Sequence, residues 1–344
     1  MKYVASTPTR IDLAGGTLDL YPLFLFEPRS LTVNAGIDLR SHVTLSDLPG
    51  TAVRLRSVDF GATVEAASPQ ELDPKGELGF LALAVQHYLP GGGVEVVTRN
   101  TAPKGSGLGA SSSLLMALSA ALCRKAGRDL SREEIIRIGS GLEARSLGIP
   151  TGLQDYFGAM FGGFQALRFD AEGSHREPLE FSSEFRAELG RAVVVSFTGL
   201  SHFSGTSNWN MLKRYIEKEG DTVQRLGAIA ETAWDMRDAL VRESLFEVGR
   251  ALEREWNHRK GLADGVTTPE IDAMVQAARQ AGALASKICG AGGGGCLLTL
   301  AVPDRRAEVE AALAAAGARV MQVGLDARGL ELETASEEAV SGRG

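Results

Sequence analysis

Three glycine-dense segments hold the residues best placed to do chemistry. In the first, PKGSGLGASSS (Pro103 to Ser113), Gly105, Gly107 and Gly109 lead straight into a run of good helix formers. Glycine leaves backbone N–H groups uncovered, and a helix N-terminus adds free N–H groups and the positive end of its dipole. The segment therefore suits phosphate. Pro103, Leu108 and Ala110 complete the loop, and the hydroxyls of Ser111, Ser112 and Ser113 can donate to phosphate oxygens or bind a hard cation. A plain glycine turn closed by serine caps is the other reading of these letters. Two common phosphate loops are excluded by spelling. No Lys follows the glycines, and the third glycine comes one residue early for G-x-G-x-x-G. A side chain at Gly107 is expected to harm phosphate binding more than stability, because it would intrude where backbone meets ligand.

The second segment, EARSLGIPTGLQDYFGAMFGG, runs from Glu143 to Gly163. Glu143 falls near the end of an expected helix, and Asp155 lies twelve positions later in what reads as a glycine-rich loop. One carboxylate could bind Mg²⁺ and the other could orient or deprotonate a hydroxyl. Either acid alone could equally be a solvated surface group. The third segment is KICGAGGGGC, Lys287 to Cys296, with Gly290, Gly292, Gly293 and Gly294 at its centre. Such density implies close backbone approach or positive φ. A flexible linker is the alternative, but apolar flanks (283–288 and 297–302) argue against it.

The elements that must carry these segments follow from pattern. Residues 3–13 and 31–45 alternate as strands, and Val94–Val97 reads as a short one. Helices are expected at 78–88, 111–127, 131–145 and 269–282 and over much of 208–255; Ser131 with Glu133 and Glu134 marks one N-terminus. Residues 191–198 and 297–302 read as buried strands. The last residues, TASEEAVSGRG, read as disordered.

Composition removes several classes. A net charge of −7 opposes nucleic-acid binding, which needs a basic face. The basic pairs Lys213-Arg214 and Arg259-Lys260 read as solvated helix faces. Three cysteines without CxxC spacing fit a reducing cytoplasm, and no apolar run reaches the length of a signal peptide or membrane span. Asp59-Phe60-Gly61 spells a protein-kinase metal triplet, but no companion motif accompanies it.

Taken together and in order, the three segments resemble the GHMP kinase superfamily, which includes galactokinase, homoserine kinase, mevalonate kinase and phosphomevalonate kinase. TPTRIDLAGGTLDL (Thr7–Leu20), GLQDYFGAMFGGF and VTTPEID…KICGAGGGGC are most similar to sugar kinases of the D-glycero-D-manno-heptose 7-phosphate type, which act on the anomeric hydroxyl. The resemblance implies an α/β, two-domain fold. A domain like ribosomal protein S5 is expected over 1–188, a ferredoxin-like α+β domain over 189–335 and a disordered tail over 336–344.

It also implies ATP and Mg²⁺ as cofactors and a small-molecule sugar or sugar phosphate as partner, with no nucleic acid or membrane; a homodimer is admitted. By the same resemblance, Arg10 and Asp155 are the catalytic residues, and Ser111 and Glu143 are the metal ligands. Asp19 grips sugar hydroxyls, with Gly15, Gly16 and Thr17 forming the acceptor loop. Ala110 stands where the family has a serine, Gly16 and Thr17 replace the Glu-His pair of galactokinase, and Leu18 replaces a threonine of heptose kinases.

The rival functions are a kinase of a free hexose or of an acid such as mevalonate, and an inactive sugar sensor. Retention of Arg10, Glu143 and Asp155 opposes the last. A phosphorylated acceptor would need a second cation in the pocket, for which Lys213, Arg214 and Arg40 are the candidates. Lys213 and Arg214 follow the polar stretch Ser201–Trp209.

Overall fold

The computed structural model describes residues 1–200 and 204–335, with 204–207 as backbone only; the tail expected at 336–344 lies outside the described residues. Two long strands open the chain, β1 (Lys2–Ala14) and β2 (Leu31–Asp47), joined through the short helix α1 (Leu23–Phe26). β1 runs through Pro8 because its register with β2 shifts between Pro8 and Thr9, and a bulge is one of the few places where a strand tolerates proline. β3 (Val53–Ser57) and β4 (Ala62–Ala66) form a hairpin, and Asp59-Phe60-Gly61 is its exposed turn. β5 (Val94–Asn100), β6 (Phe164–Asp170), β7 (Gly173–Leu179) and the distant β12 (Glu331–Ala335) complete the first sheet, ordered β12-β1-β2-β5-β3-β4. β2 is long enough for two further partners: residues 41–47 pair with β5 and residues 31–35 with β6, which in turn pairs with β7.

Four helices cover this sheet: α2 (Gly79–Tyr88), α3 (Ala110–Lys125), α4 (Arg132–Leu147) and α5 (Gln154–Phe161). α3 lies on β1 and β2 with the other three against it, so the helix that starts at the phosphate loop is also the centre of a core. The expected capping box of α4 is present, Ser131 accepting from the Glu134 N–H and Glu134 accepting from the Ser131 N–H.

The second sheet, β11-β8-β10-β9, is antiparallel throughout: β8 (Val193–Phe197), β9 (Ala283–Ile288), β10 (Cys296–Ala301) and β11 (Arg319–Met321). Its helices are α6 (Ser183–Ala192), α7 (Ser204–Ile216), α8 (Thr222–Val241), α9 (Leu245–Arg259), α10 (Pro269–Gln280) and α11 (Arg306–Ala315). The strand expected over 191–198 begins at Val193, since Arg191 and Ala192 end α6. α6 spans residue 188 and packs on β8 and β10, while β12 pairs with β1, so the chain passes from one sheet to the other more than once. Ile11, Leu13 and Val33 of the first sheet share one buried cluster with Val195, Met236 and Leu252 of the second domain, and this cluster joins the two domains. Among the described residues no helix is long and apolar enough to cross a membrane.

Candidate active site

A cleft of about 270 Å³ lies where β1, the N-terminus of α3 and the start of α5 meet. At its centre the Arg10 guanidinium grips Asp155, Nε at 2.8 Å and Nη2 at 2.5 Å from the same carboxylate oxygen. The third arm, Nη1, donates to the Gly107 carbonyl at 2.6 Å, and the Arg10 N–H donates to the Leu108 carbonyl at 3.1 Å. The phosphate loop is thus stitched to β1 through one residue. Arg10 is 4% exposed and Asp155 23%, so the carboxylate is the member open to the cleft. Burial pushes the Asp155 carboxyl above its ordinary range, and the Arg10 charge pulls it back. Asp155 does not sit in a loop, as its glycine-rich surroundings suggested. It occupies the first turn of α5, which gives it a fixed direction.

Glu143 reaches the cleft from α4. Its Oε2 accepts from the Ser112 hydroxyl at 2.8 Å and the Tyr156 hydroxyl at 2.6 Å. Burial raises the Glu143 carboxyl, while hydrogen bonds from Tyr156, Ser111 and Ser112 oppose the rise. Ser111 itself is exposed and lines the cleft beside Gly105, Gly107, Gly109 and Ala110. Hydroxyl and carboxylate oxygens are the donors a hard cation takes. The backbone N–H groups of the first turn of α3 precede its first intrahelical bond, Ser113 N–H to the Gly109 carbonyl at 2.8 Å.

Opposite stands the loop of residues 15–19, the expected acceptor loop. Gly16, Thr17 and Asp19 line the cleft, whereas Gly15 packs behind it against the Leu31 carbonyl. The buried Asp19 carboxylate accepts the Gln154 N–H at 2.9 Å, and burial pushes it up to about 6. Gly152 is the residue that permits this approach: a Cβ there would lie 2.5 Å from Asp19 Oδ2.

The third segment docks on the phosphate loop through backbone. Cys296 donates its N–H to the Ser106 carbonyl at 2.7 Å, and a Cβ on Gly107 would meet the Cys289 carbonyl oxygen at 2.4 Å. Gly290 and Ala291 line the cleft. Gly292, Gly293 and Gly294 do not line it; they fold against Val266 and Leu200, where positive φ lets the turn close.

Several expected residues lie elsewhere. Pro103 and Leu108 support the loop from behind, Leu108 fully buried. Ser113 points away from the cleft, its hydroxyl 2.9 Å from that of Thr7. None of the candidate second cations enters. Arg40 is buried in an ion pair with Asp326 at 2.6 Å, and Lys213 and Arg214 lie near Glu217 and Glu219 on the last turn of α7. Of the polar stretch before them, residues 201–203 and the side chains of 204–207 lie outside the described residues; Asn208 lines the cleft. Among the described residues, Arg10 is the only cationic side chain that lines it.

Sequence reasoning passed over the support. Tyr156 orients Glu143 and follows Asp155 directly, but a tyrosine in an apolar stretch reads as core. Arg259, whose basic pair with Lys260 suggests a solvated face, is fully buried, in a cluster with Asp12, Glu255 and Lys287 beneath the loop of residues 15–19. A signal existed: the apolar face of α9, Val248, Leu252 and Trp256, runs in phase with Glu255 and Arg259.

The model of the GHMP kinases N terminal domain matches residues 78–163, and that of GHMP kinases C terminal matches residues 236–319. A mevalonate kinase from Thermococcus onnurineus is 32% identical, over 97% of this chain and 99% of its own. A D-glycero-alpha-D-manno-heptose 7-phosphate kinase from Campylobacter jejuni is 27% identical, over 87% of this chain and 89% of its own. The crystal structure of a D-glycero-D-manno-heptose 1-phosphate kinase from Bacteroides thetaiotaomicron superposes with a TM-score of 0.79 at 24% identity, covering 97% of this chain and all of the other, which shows a shared fold.

Proposed function

Because the chain belongs to the GHMP kinase family, and is therefore an ATP-dependent kinase, we propose that it transfers the γ-phosphoryl group to a sugar hydroxyl held between Asp19 and Asp155. The observation that carries this reading is the Arg10–Asp155 pair, set between the phosphate loop and the acceptor loop. The N-terminus of α3 and the loop glycines receive the phosphates. Glu143, with Ser111, would hold Mg²⁺, which when bound neutralises phosphate charge.

Asp155 accepts the acceptor hydroxyl's hydrogen bond and orients its oxygen at phosphorus. As that oxygen bonds to phosphorus and ADP leaves, the proton passes to Asp155. Transfer can be late, because phosphoryl transition states are loose. Arg10 keeps the carboxylate aimed and places positive charge beside the developing anion.

The acceptor is best read as a polyol. The lining offers Asp19 for hydroxyls, and its one described cation is already engaged by Asp155 and Gly107. Among the described residues that lining offers the carboxylate of a mevalonate-type acid no free cation, only neutral donors such as Thr17 and Asn208. A heptose 7-phosphate, phosphorylated at the anomeric hydroxyl, is the first acceptor to try, on the strength of the heptose-kinase relatives. The unphosphorylated sugar is the second reading, favoured by the lack of a free cation among the described residues of the lining. An ADP-release assay with ATP and Mg²⁺ tests both. A preference of at least roughly tenfold in kcat/KM for the 7-phosphate supports the first, equal use supports the second, and turnover of mevalonate alone defeats the sugar reading.

A further inference from the structure

The acceptor loop is held in a conformation its own residues do not favour. Thr17 has φ of +79°, and for a β-branched residue this is a true outlier that persists only where the surroundings impose it. Two tight turns overlap there, the Leu18 N–H donating to the Gly15 carbonyl at 3.1 Å and the Leu20 N–H to the Thr17 carbonyl at 3.2 Å.

The grip comes from the other domain. Arg259, at the end of α9, donates from Nη2 to the Gly16 carbonyl at 2.6 Å and from Nη1 to the Thr17 hydroxyl at 3.3 Å. Its remaining edge is fixed by Glu255, with Nε at 2.8 Å and Nη2 at 2.6 Å from Oε1. Lys287 of β9 closes the set, 3.3 Å from Glu255 and 3.0 Å from Asp12 of β1. All four charged residues are fully buried. Leu18 and Leu20 pack in the same cluster as Trp256 and Leu262, so the loop belongs to the first domain by sequence and to the second by packing.

We infer that Arg259 is a positioning residue for the acceptor. It acts through Gly16 and Thr17 to hold the turn that delivers Asp19, and so makes acceptor recognition depend on the docking of α9. The assignment rests on the acceptor reading of the loop given above. A planar guanidinium can serve two oxygens on one side and a carboxylate on the other, a geometry that lysine keeps in charge and loses in shape.

Arg259→Lys therefore leaves Glu255 with a cation while releasing the loop. In the protein without ligands, amide hydrogen exchange over residues 15–20 is expected to accelerate at least tenfold. With the acceptor that the parent turns over, KM for acceptor is expected to rise about tenfold and KM for ATP to stay within twofold. Adding Thr17→Gly to Arg259→Lys is expected to bring the acceptor KM back toward the parent, because glycine adopts positive φ unaided. Should Arg259→Lys not fold, Thr17→Val takes its place, deleting the hydroxyl's contacts with Arg259 and Met211 at constant shape. Because Thr17 itself lines the cleft, the exchange rate alone is then read: faster loop exchange supports the assignment and unchanged exchange overturns it.

Unchanged exchange, or equal rises in both KM values, overturns the role of Arg259. A parent that phosphorylates no acceptor defeats the kinase reading instead, and the exchange measurement still decides whether Arg259 holds the loop.

Discussion

Replacing Gly107 by alanine separates the two uses of a glycine-rich loop. The added Cβ would stand 2.4 Å from the Cys289 carbonyl oxygen and 3.1 Å from its carbon, and both atoms are backbone of the docked third segment. One backbone must move, at about 1–3 kcal/mol for a forced overpacking. Gly107 also has φ of +71°, which adds about 1–2 kcal/mol for a side chain in the left-handed region. The sum is about 2–5 kcal/mol, or a fall in Tm of roughly 4–10 °C at about 2 °C per kcal/mol for a chain of this size. Gly127 is the control, with φ of +67° and no atom within 4 Å of its added Cβ; alanine there should cost about 1–2 kcal/mol, or roughly 2–4 °C. Sequence alone expects a substitution at Gly107 to strike ATP before stability, and the contact with Cys289 reverses that order. Thermal unfolding of both variants, with ATP titration of the folded protein, is the assay. Equal Tm losses at the two positions would refute the clash.

Asp155→Asn should lower kcat by roughly 10²-fold or more with little change in KM for ATP, read by ADP release; turnover within about threefold of the parent removes Asp155 from the chemistry. Glu143→Gln should raise the Mg²⁺ concentration giving half-maximal rate, because a neutral amide is a weaker ligand for a hard cation; lost activity at unchanged Mg²⁺ dependence assigns Glu143 another task. The Asp19 carboxyl, pushed up to about 6 by burial, should lose its charge as pH falls through that value, taking kcat/KM for acceptor down with it. The same shift bears on stability. With the folded value above the ordinary 3.8, the favourable contribution of Asp19 is complete below 3.8 and is lost as pH rises through about 6. Asp19→Asn should therefore stabilise by about 3 kcal/mol at pH 8 and by almost nothing below pH 4, measured by urea unfolding; equal effects at both pH values contradict the burial argument.

What could be read from sequence was local. The helix after the phosphate loop, the cap at Ser131 and the first two strands follow from periodicity and capping that neighbours within four residues determine. The sequence around Asp155 reads as a loop because Gly152, Gly158, Gly162 and Gly163 crowd it. Those glycines instead let an eight-residue helix lie close to other elements: a Cβ on Gly158 would meet Arg10 Cβ at 3.0 Å. The direction of a hydroxyl was equally invisible, since Ser112 faces Glu143 and Ser113 faces Thr7 one residue apart. The burial of Arg259 is invisible in sequence for a different reason. Its partners are Gly16 and Thr17, some 240 positions earlier, and an isolated basic pair on a helix is normally solvated.

The return of β12 to the first sheet bears on how the protein is made. The ribosome delivers β7 by Leu179, yet β1 receives its outer neighbour only when Glu331–Ala335 emerges. At about 5–20 residues per second, the interval is on the order of ten seconds or more. Throughout it the nascent first domain presents an unpaired β1 edge, and Arg40 lacks its partners Asp326 and Glu331. Vectorial synthesis thus cannot finish the first domain before the second. The nascent chain stays open to edge pairing with its neighbours until its final strand arrives, which makes translation speed across the second half a determinant of yield.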